Sequence, residues 1–228
     1  MSLLTDFMDT VYPNYCLGCN AMLESSDSVL CMDCIEELPF THFFEKEDNP
    51  VKEIFYGRIL VAHAGSALFF TKDSPVQRLL FALKYQNDKH AGLFLGALLA
   101  QSLAETDWIK EVDWIVPLPL HRKRERKRGY NQSTVICSKL SEILGIPMNN
   151  DMVERAVYTE TQTHKTREAR WQSMQTVFKV KNEDALRGKH VLLVDDVLTT
   201  GATMEVCGSE ILKIKDTKLS IATAAYAL

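Results

Sequence analysis

The stretch HVLLVDDVLTTGAT, His190 to Thr203, decides how this chain is read. Val191 to Val194 is apolar at every position, the pattern of a central parallel strand buried on both faces. In such sheets ligands gather beyond the carboxyl ends of the strands, and Asp195 and Asp196 fall at that edge. The run Thr199, Thr200, Gly201, Ala202 and Thr203 then leads into a helix, so its backbone N–H groups and hydroxyls can surround a phosphate at the helix N-terminus. The two carboxylates want hydroxyls or a divalent cation, and the loop wants a phosphate. A ribose 5-phosphate carries both kinds of group on one small scaffold. Read without a ligand, the same residues are a strand, a threonine-rich turn and a solvated pair of acids.

Outward from this stretch, strand-like and helix-like segments alternate. Residues 58–70, RILVAHAGSALFF, read as strands, and residues 75–106 as two helices, with Pro75 well placed at a first helical turn. DWIVPLPL (113–120) is a short buried strand ending in prolines; a basic loop follows, then a helix from about Asn131 to Leu144. MNNDMVERAV (148–157) reads as a strand, TMEVCGSEILKIK (203–215) as a helix and KLSIATAAYAL (218–228) as a final strand. The alternation predicts an α/β fold with a mainly parallel sheet over residues 51–228. The polar, Pro-ended EKEDNP (45–50) sets the boundary of a smaller module, residues 1–50, with its own source of stability.

With 228 residues, 46% of them hydrophobic and 25% charged, the chain has the composition of an ordinary globular protein with a sizeable core. Its longest apolar runs, Ile59 to Phe70 and Ala91 to Ala100, fall short of a membrane span. MSLLTDFMDT at the start carries Asp6 and Asp9 and no basic residue, unlike a secretory signal, so the expected location is cytoplasmic. The formal net charge of −4 hides an uneven distribution, because His121 to Arg128, HRKRERKR, holds six Lys or Arg and one Glu. An anion site is expected there. The alternatives are a leaving diphosphate, with Arg122 and Lys123 as its ligands, and a nucleic-acid backbone on the outer cations.

CLGCNAMLESSDSVLCMDC places Cys16, Cys19, Cys31 and Cys34 as two C-x-x-C pairs separated by eleven residues. Two thiolates from each pair complete a tetrahedral site, and so short a segment gains its folding free energy from the ion. A structural zinc is expected; an iron–sulfur cluster uses the same four ligands. Cys137 and Cys207 stand alone in helix-like contexts and read as small apolar side chains.

VLLVDDVLTTGAT is similar to the phosphoribosyl diphosphate (PRPP) motif of type I phosphoribosyltransferases. That resemblance implies the type I fold, ribose hydroxyls and magnesium on Asp195 and Asp196, and the 5-phosphate on Thr199 to Thr203. VPLPLHRKRERKRGYNQS, with LKYQND upstream and TQTHKTREAR downstream, resembles the ComF family of bacterial competence-associated proteins, and the likeness includes the N-terminal cysteines. It implies a role in DNA uptake, with single-stranded DNA and competence proteins as partners. One departure is Ser173, where the family has Asn. The polar excursion from Thr159 to Phe178 is expected to close over the site as a lid. No catalytic base stands out: His121 and His164 lie in the nearest loops, and Lys84 either touches the diphosphate or ends a helix face.

Overall fold

The computed structural model describes residues 14–23, 25, 28–156 and 177–227. His164, Ser173 and nearly all of the expected lid lie outside the described residues. Four parallel strands form the central sheet: β1 (Ala64–Phe70), β2 (Trp114–Pro117), β5 (His190–Leu198) and β6 (Lys218–Ala227), in the order β1-β6-β5-β2. A separate antiparallel pair joins β3 (Val153–Arg155) to β4 (Phe178–Val180). The helices are α1 (Met32–Glu36), α2 (Pro50–Glu53), α3 (Pro75–Tyr85), α4 (Lys89–Ala104), α5 (Arg122–Arg128), α6 (Gln132–Leu144) and α7 (Ala202–Leu212).

The apolar run of β5 is buried on both faces, as its sequence predicts. Leu192 and Val194 enter one core with α3, α4 and α6, while Val191 and Leu193 enter the other with α7 and the β3–β4 pair. Successive side chains of a strand point to opposite faces, so a continuous apolar strand demands a helical layer on each side. Glycines let α4 close on α6: a Cβ at Gly96 would stand 2.5 Å from the Ile136 carbonyl oxygen, and one at Gly92 2.7 Å from Val135 Cγ1. Ser74 and Asp88 cap α3 and α4 by accepting from Gln77 N and Ala91 N.

One expectation is corrected by the structure. HRKRERKR is a helix, not a loop. Its Arg, Lys and Glu residues are good helix formers, His121 Nδ1 accepts from Lys123 N, and Gly129 ends the helix in the left-handed conformation (φ 85°). The N-terminal cysteine segment packs into the larger domain: Cys16, Leu30, Cys34, Leu38 and Phe44 lie in the same buried cluster as α3 and α4. Residues 39–41 run along β1 as well: Phe69 N donates to Pro39 O and Thr41 N donates to Ala67 O. Among the described residues no helix is long and apolar enough to cross a membrane.

Candidate functional site

The acid pair lies within the last turnings of β5, because the strand continues to Leu198. Asp196 is buried and its Oδ1 lies 2.9 Å from Lys84 Nζ, at the C-terminal end of α3. Asp195 Oδ1 accepts from Ser133 Oγ at 2.7 Å and from Asp196 N at 2.8 Å. Ser133 reaches it because Asn131 caps α6 and aligns the helix's first turn with the strand end. Burial and the adjacent Asp196 charge push the Asp195 carboxyl up to about 7, against the pull of Ser133, the Asp196 N–H and Lys84.

The pH dependence of stability follows from that shift. A folded-state carboxyl raised above its unfolded value binds a proton where the unfolded chain has released it, so stability falls as pH rises from about 4 towards 7 and stays lowered above that. Asp195→Asn keeps an acceptor for Ser133 and removes the charge. It is expected to raise the thermal midpoint by a few degrees at pH 8 and to leave it nearly unchanged at pH 4, measured by calorimetry.

Beyond the acids, Thr199 and Thr200 are exposed and Gly201 has φ 72°. Gly201 caps α7 without a side chain, so the first N–H groups of that helix have no intrahelical acceptor. The loop is held from below: a Cβ on Gly201 would stand 2.6 Å from Ile54 Cγ2 and 3.1 Å from Phe55 Cε1. Arg58 braces its outer side, with Nη1 3.5 Å from the Thr200 carbonyl oxygen and 3.3 Å from Glu205 Oε2. The chain therefore brings together the acids and the small-residue loop that its sequence singles out. Ser133 and Arg58 were not legible, since a serine behind a cap and an arginine 142 residues away leave no local pattern.

The basic helix turns its cations to different sides. Arg124, Lys127 and Arg128 line a cleft of about 430 Å³ with Lys84, Tyr85 and Asn87. Positions i, i+3 and i+4 share a helix face, which is why these three turn to one side. Arg122 instead leans on Glu154, 3.9 Å away, and Lys123 neighbours it at the N-terminal end of α5. Arg128 lies over the Tyr85 ring, 5.7 Å from its centroid.

The four N-terminal cysteines have their sulfurs within 4.8 Å of one another. Cys16 Sγ accepts from Gly18 N and Cys31 N at 3.3 and 3.2 Å. Burial works against the Cys16 thiolate, yet the backbone N–H groups of Cys31, Cys19 and Gly18 hold its thiol down to about 6. Gly18 has no room for a side chain, since a Cβ there would stand 2.6 Å from Cys34 Sγ. Convergent sulfurs, N–H donors to sulfur and a glycine at the closest approach all fit a tetrahedral metal.

Comparison with known proteins agrees with this geometry. Residues 130–227, from the end of the basic helix to the last strand, match the phosphoribosyl transferase domain. Competence protein F of Haemophilus influenzae is 30% identical over 200 residues, covering 83% of this chain and 80% of that protein. The DNA utilization protein YhgH of Escherichia coli K12 is 30% identical over 182 residues, covering 78% of this chain and 76% of its own. Among solved structures, the glutamine PRPP amidotransferase of B. subtilis aligns with TM-score 0.42 and 20% identity, over 58% of this chain and 26% of that one. With its parallel sheet of the type I phosphoribosyltransferase fold, its N-terminal four-cysteine cluster and relatives matched over most of its length, the chain belongs to the ComF family.

Proposed function

We propose that the chain binds PRPP with magnesium and transfers its phosphoribosyl group to a nucleophile in the handling of incoming DNA. The observation that carries this reading is the placement of a carboxylate pair, Asp196 buried and Asp195 half-buried, between two anion-seeking elements: the Thr199 to Thr203 loop on one side and the cleft of Lys84, Arg124, Lys127 and Arg128 on the other. Asp195 and Asp196 hold the ribose 2′ and 3′ hydroxyls, and the loop N–H groups hold the 5-phosphate. Magnesium, held by the acids and the diphosphate oxygens, would supply neutralisation of the leaving group. A nucleophile forms its bond to the anomeric carbon as the C–O bond to diphosphate breaks, and the bonding pair leaves on the diphosphate. The cations of α5 stabilise that charge, Arg124, Lys127 and Arg128 from the cleft and Arg122 and Lys123 from the N-terminal end of the same helix. The four cysteines hold a structural zinc with no open ligand position. The location is the cytoplasm, and competence or DNA-uptake proteins are the partners. Support for the DNA context comes from the names of the relatives, Competence protein F and DNA utilization protein YhgH.

The test is calorimetric titration with PRPP and magnesium. Wild type is expected to bind, and Asp195→Asn with Asp196→Asn is expected to lose binding; unchanged affinity in the double variant sinks the assignment. A second reading is a PRPP-sensitive module that binds single-stranded DNA without turnover. It is favoured by the exposed rings of Phe81 and Tyr85, 5.1 Å apart and continuous with the basic cleft, a surface suited to stacked bases and phosphates. Diphosphate release assayed with nucleobases, ammonia and single-stranded DNA separates the two. Release with any acceptor establishes the enzyme, and none with salt-dependent DNA binding retained establishes the module.

A further inference from the structure

Helix α3 touches the cysteine cluster with one end and the carboxylate pair with the other. On the cluster side, Arg78 Nη1 donates to the carbonyl oxygen of Gly18, the residue just before Cys19. Gly18 is itself pinned, because its backbone N–H donates to Cys16 Sγ and its α-carbon faces Cys34 Sγ too closely for a Cβ. The peptide that Arg78 grips is therefore part of the sulfur cage. Cys16, Leu30 and Cys34 share one buried cluster with Val76, Leu79, Leu80 and Leu83 of α3, so the contact is backed by packing.

At the other end, six residues on, Lys84 Nζ lies 2.9 Å from Asp196 Oδ1. The Lys84 side chain is 19% exposed and that of Asp196 8%, so this ion pair is poorly screened and its geometry depends on where the helix holds the lysine stem. Tyr130 Oη donates to the Leu83 carbonyl at 2.5 Å, fixing that last turn against the segment that leads into α6 and Ser133. The eleven residues of α3 make a rod about 16 Å long, short enough to move as one body. A shift at the Gly18 end is carried to Lys84.

We infer that the cysteine cluster is a positioning element for the anion site: through Arg78 and α3 it sets the place of Lys84 between Asp196 and the basic cleft. Among the described residues, Lys84 is the one cation that both pairs with Asp196 and lines the cleft that faces the diphosphate. Displaced from that place, it would leave Asp196 buried with its charge uncompensated and the cleft short of a cation. This inference rests on the proposed PRPP reading, and it gives the cluster a role in ligand affinity beyond holding its own segment folded. Arg78 acts through Lys84 and touches no ligand.

The test is a double-mutant cycle on PRPP affinity, measured by calorimetry with magnesium, on Arg78→Ala, Lys84→Ala and the two together, with metal content determined for each. Arg78→Ala is expected to retain its metal and to weaken PRPP about tenfold, within the usual range of coupling between linked sites. In the Lys84→Ala background the same change is expected to add less than about twofold. Unchanged affinity in Arg78→Ala overturns the inference, and so do fully additive losses, which mean that the two residues act separately. If Arg78→Ala loses its metal or melts early, the measurement moves to the wild type stripped of metal by a chelator at a temperature where circular dichroism shows the sheet intact. A loss of affinity there that vanishes in Lys84→Ala supports the inference, and an affinity equal to that of the loaded protein overturns it. If the wild type does not bind PRPP, the proposed function fails before this question arises; if it binds and the Asp195 and Asp196 double variant does not, a silent Arg78→Ala removes only the positioning role.

Discussion

Cys16→Ser is expected to empty the metal site and to lower the thermal midpoint of the whole chain, not of a detachable knuckle. Structural zinc in a four-thiolate site contributes on the order of 10 kcal/mol or more of apparent binding free energy, comparable with the total stability of most domains. With zinc bound, that energy would act on a segment whose Cys16, Leu30, Cys34 and Leu38 lie in one core with α3 and α4, and whose residues 39–41 pair with β1. Losing the ion releases these side chains and exposes the β1 edge together with the face of α3 beneath them. The expected result is about one zinc per chain in the wild type and none in Cys16→Ser. The variant should unfold earlier as measured by the far-ultraviolet signal of the sheet. A variant without metal that melts at the wild-type temperature would show the module to be energetically separate. A brown wild-type protein containing iron would replace zinc by an iron–sulfur cluster.

Gly201→Ala should be nearly as damaging, at the N-terminus of α7. With φ 72° the position costs an L-residue about 1 kcal/mol in backbone strain. Its Cβ would also stand 2.6 Å from Ile54 Cγ2 and 3.1 Å from Phe55 Cε1, and the Phe55 ring is fully buried and cannot yield freely. Overpacking of this kind adds about 1–3 kcal/mol. The cheapest escape is for the loop to lift off Ile54 and Phe55, which turns the first N–H groups of α7 away from the proposed 5-phosphate. The expected outcome is a loss of PRPP affinity of about a hundredfold with the sheet still folded, since each tenfold corresponds to about 1.4 kcal/mol. Calorimetry beside a thermal melt checks it, and full affinity in Gly201→Ala would remove the loop from the phosphate site. Gly188→Ala, at φ 66° with nothing within 4 Å of the added Cβ and ahead of the other end of β5, is the control for backbone strain alone.

How much of this was legible in the sequence follows from the range of each interaction. The buried parallel strand was readable from Val191 to Val194, because a four-residue apolar run needs no partner to announce that both its faces are covered. The acid pair, the small-residue loop and the two C-x-x-C pairs were readable because each is a cluster of neighbours whose chemistry depends on spacing alone. The basic segment was readable as charge but not as shape. Its cations repel one another in a way that suggests an open loop, whereas the His121 cap, the left-handed Gly129 and good helix formers between them make α5, so that Arg124, Lys127 and Arg128 share a face.

The rest required the fold. Ser133 meets Asp195 across 62 residues of sequence and Arg58 meets Thr200 across 142, pairings that exist only once α6 and the segment between α2 and β1 are packed beside β5 and the loop that follows it. The raised carboxyl of Asp195 is likewise a product of assembly, since its cause is burial and a charged neighbour held close, and an unfolded chain offers only the neighbour. The sequence by itself determined the elements and the chemistry clustered along them. The tertiary structure alone decided that the cysteine cluster and the larger domain share a core, and that Lys84 stands on Asp196, because side chains far apart in the chain acquire fixed distances only when closely packed layers leave them no other place.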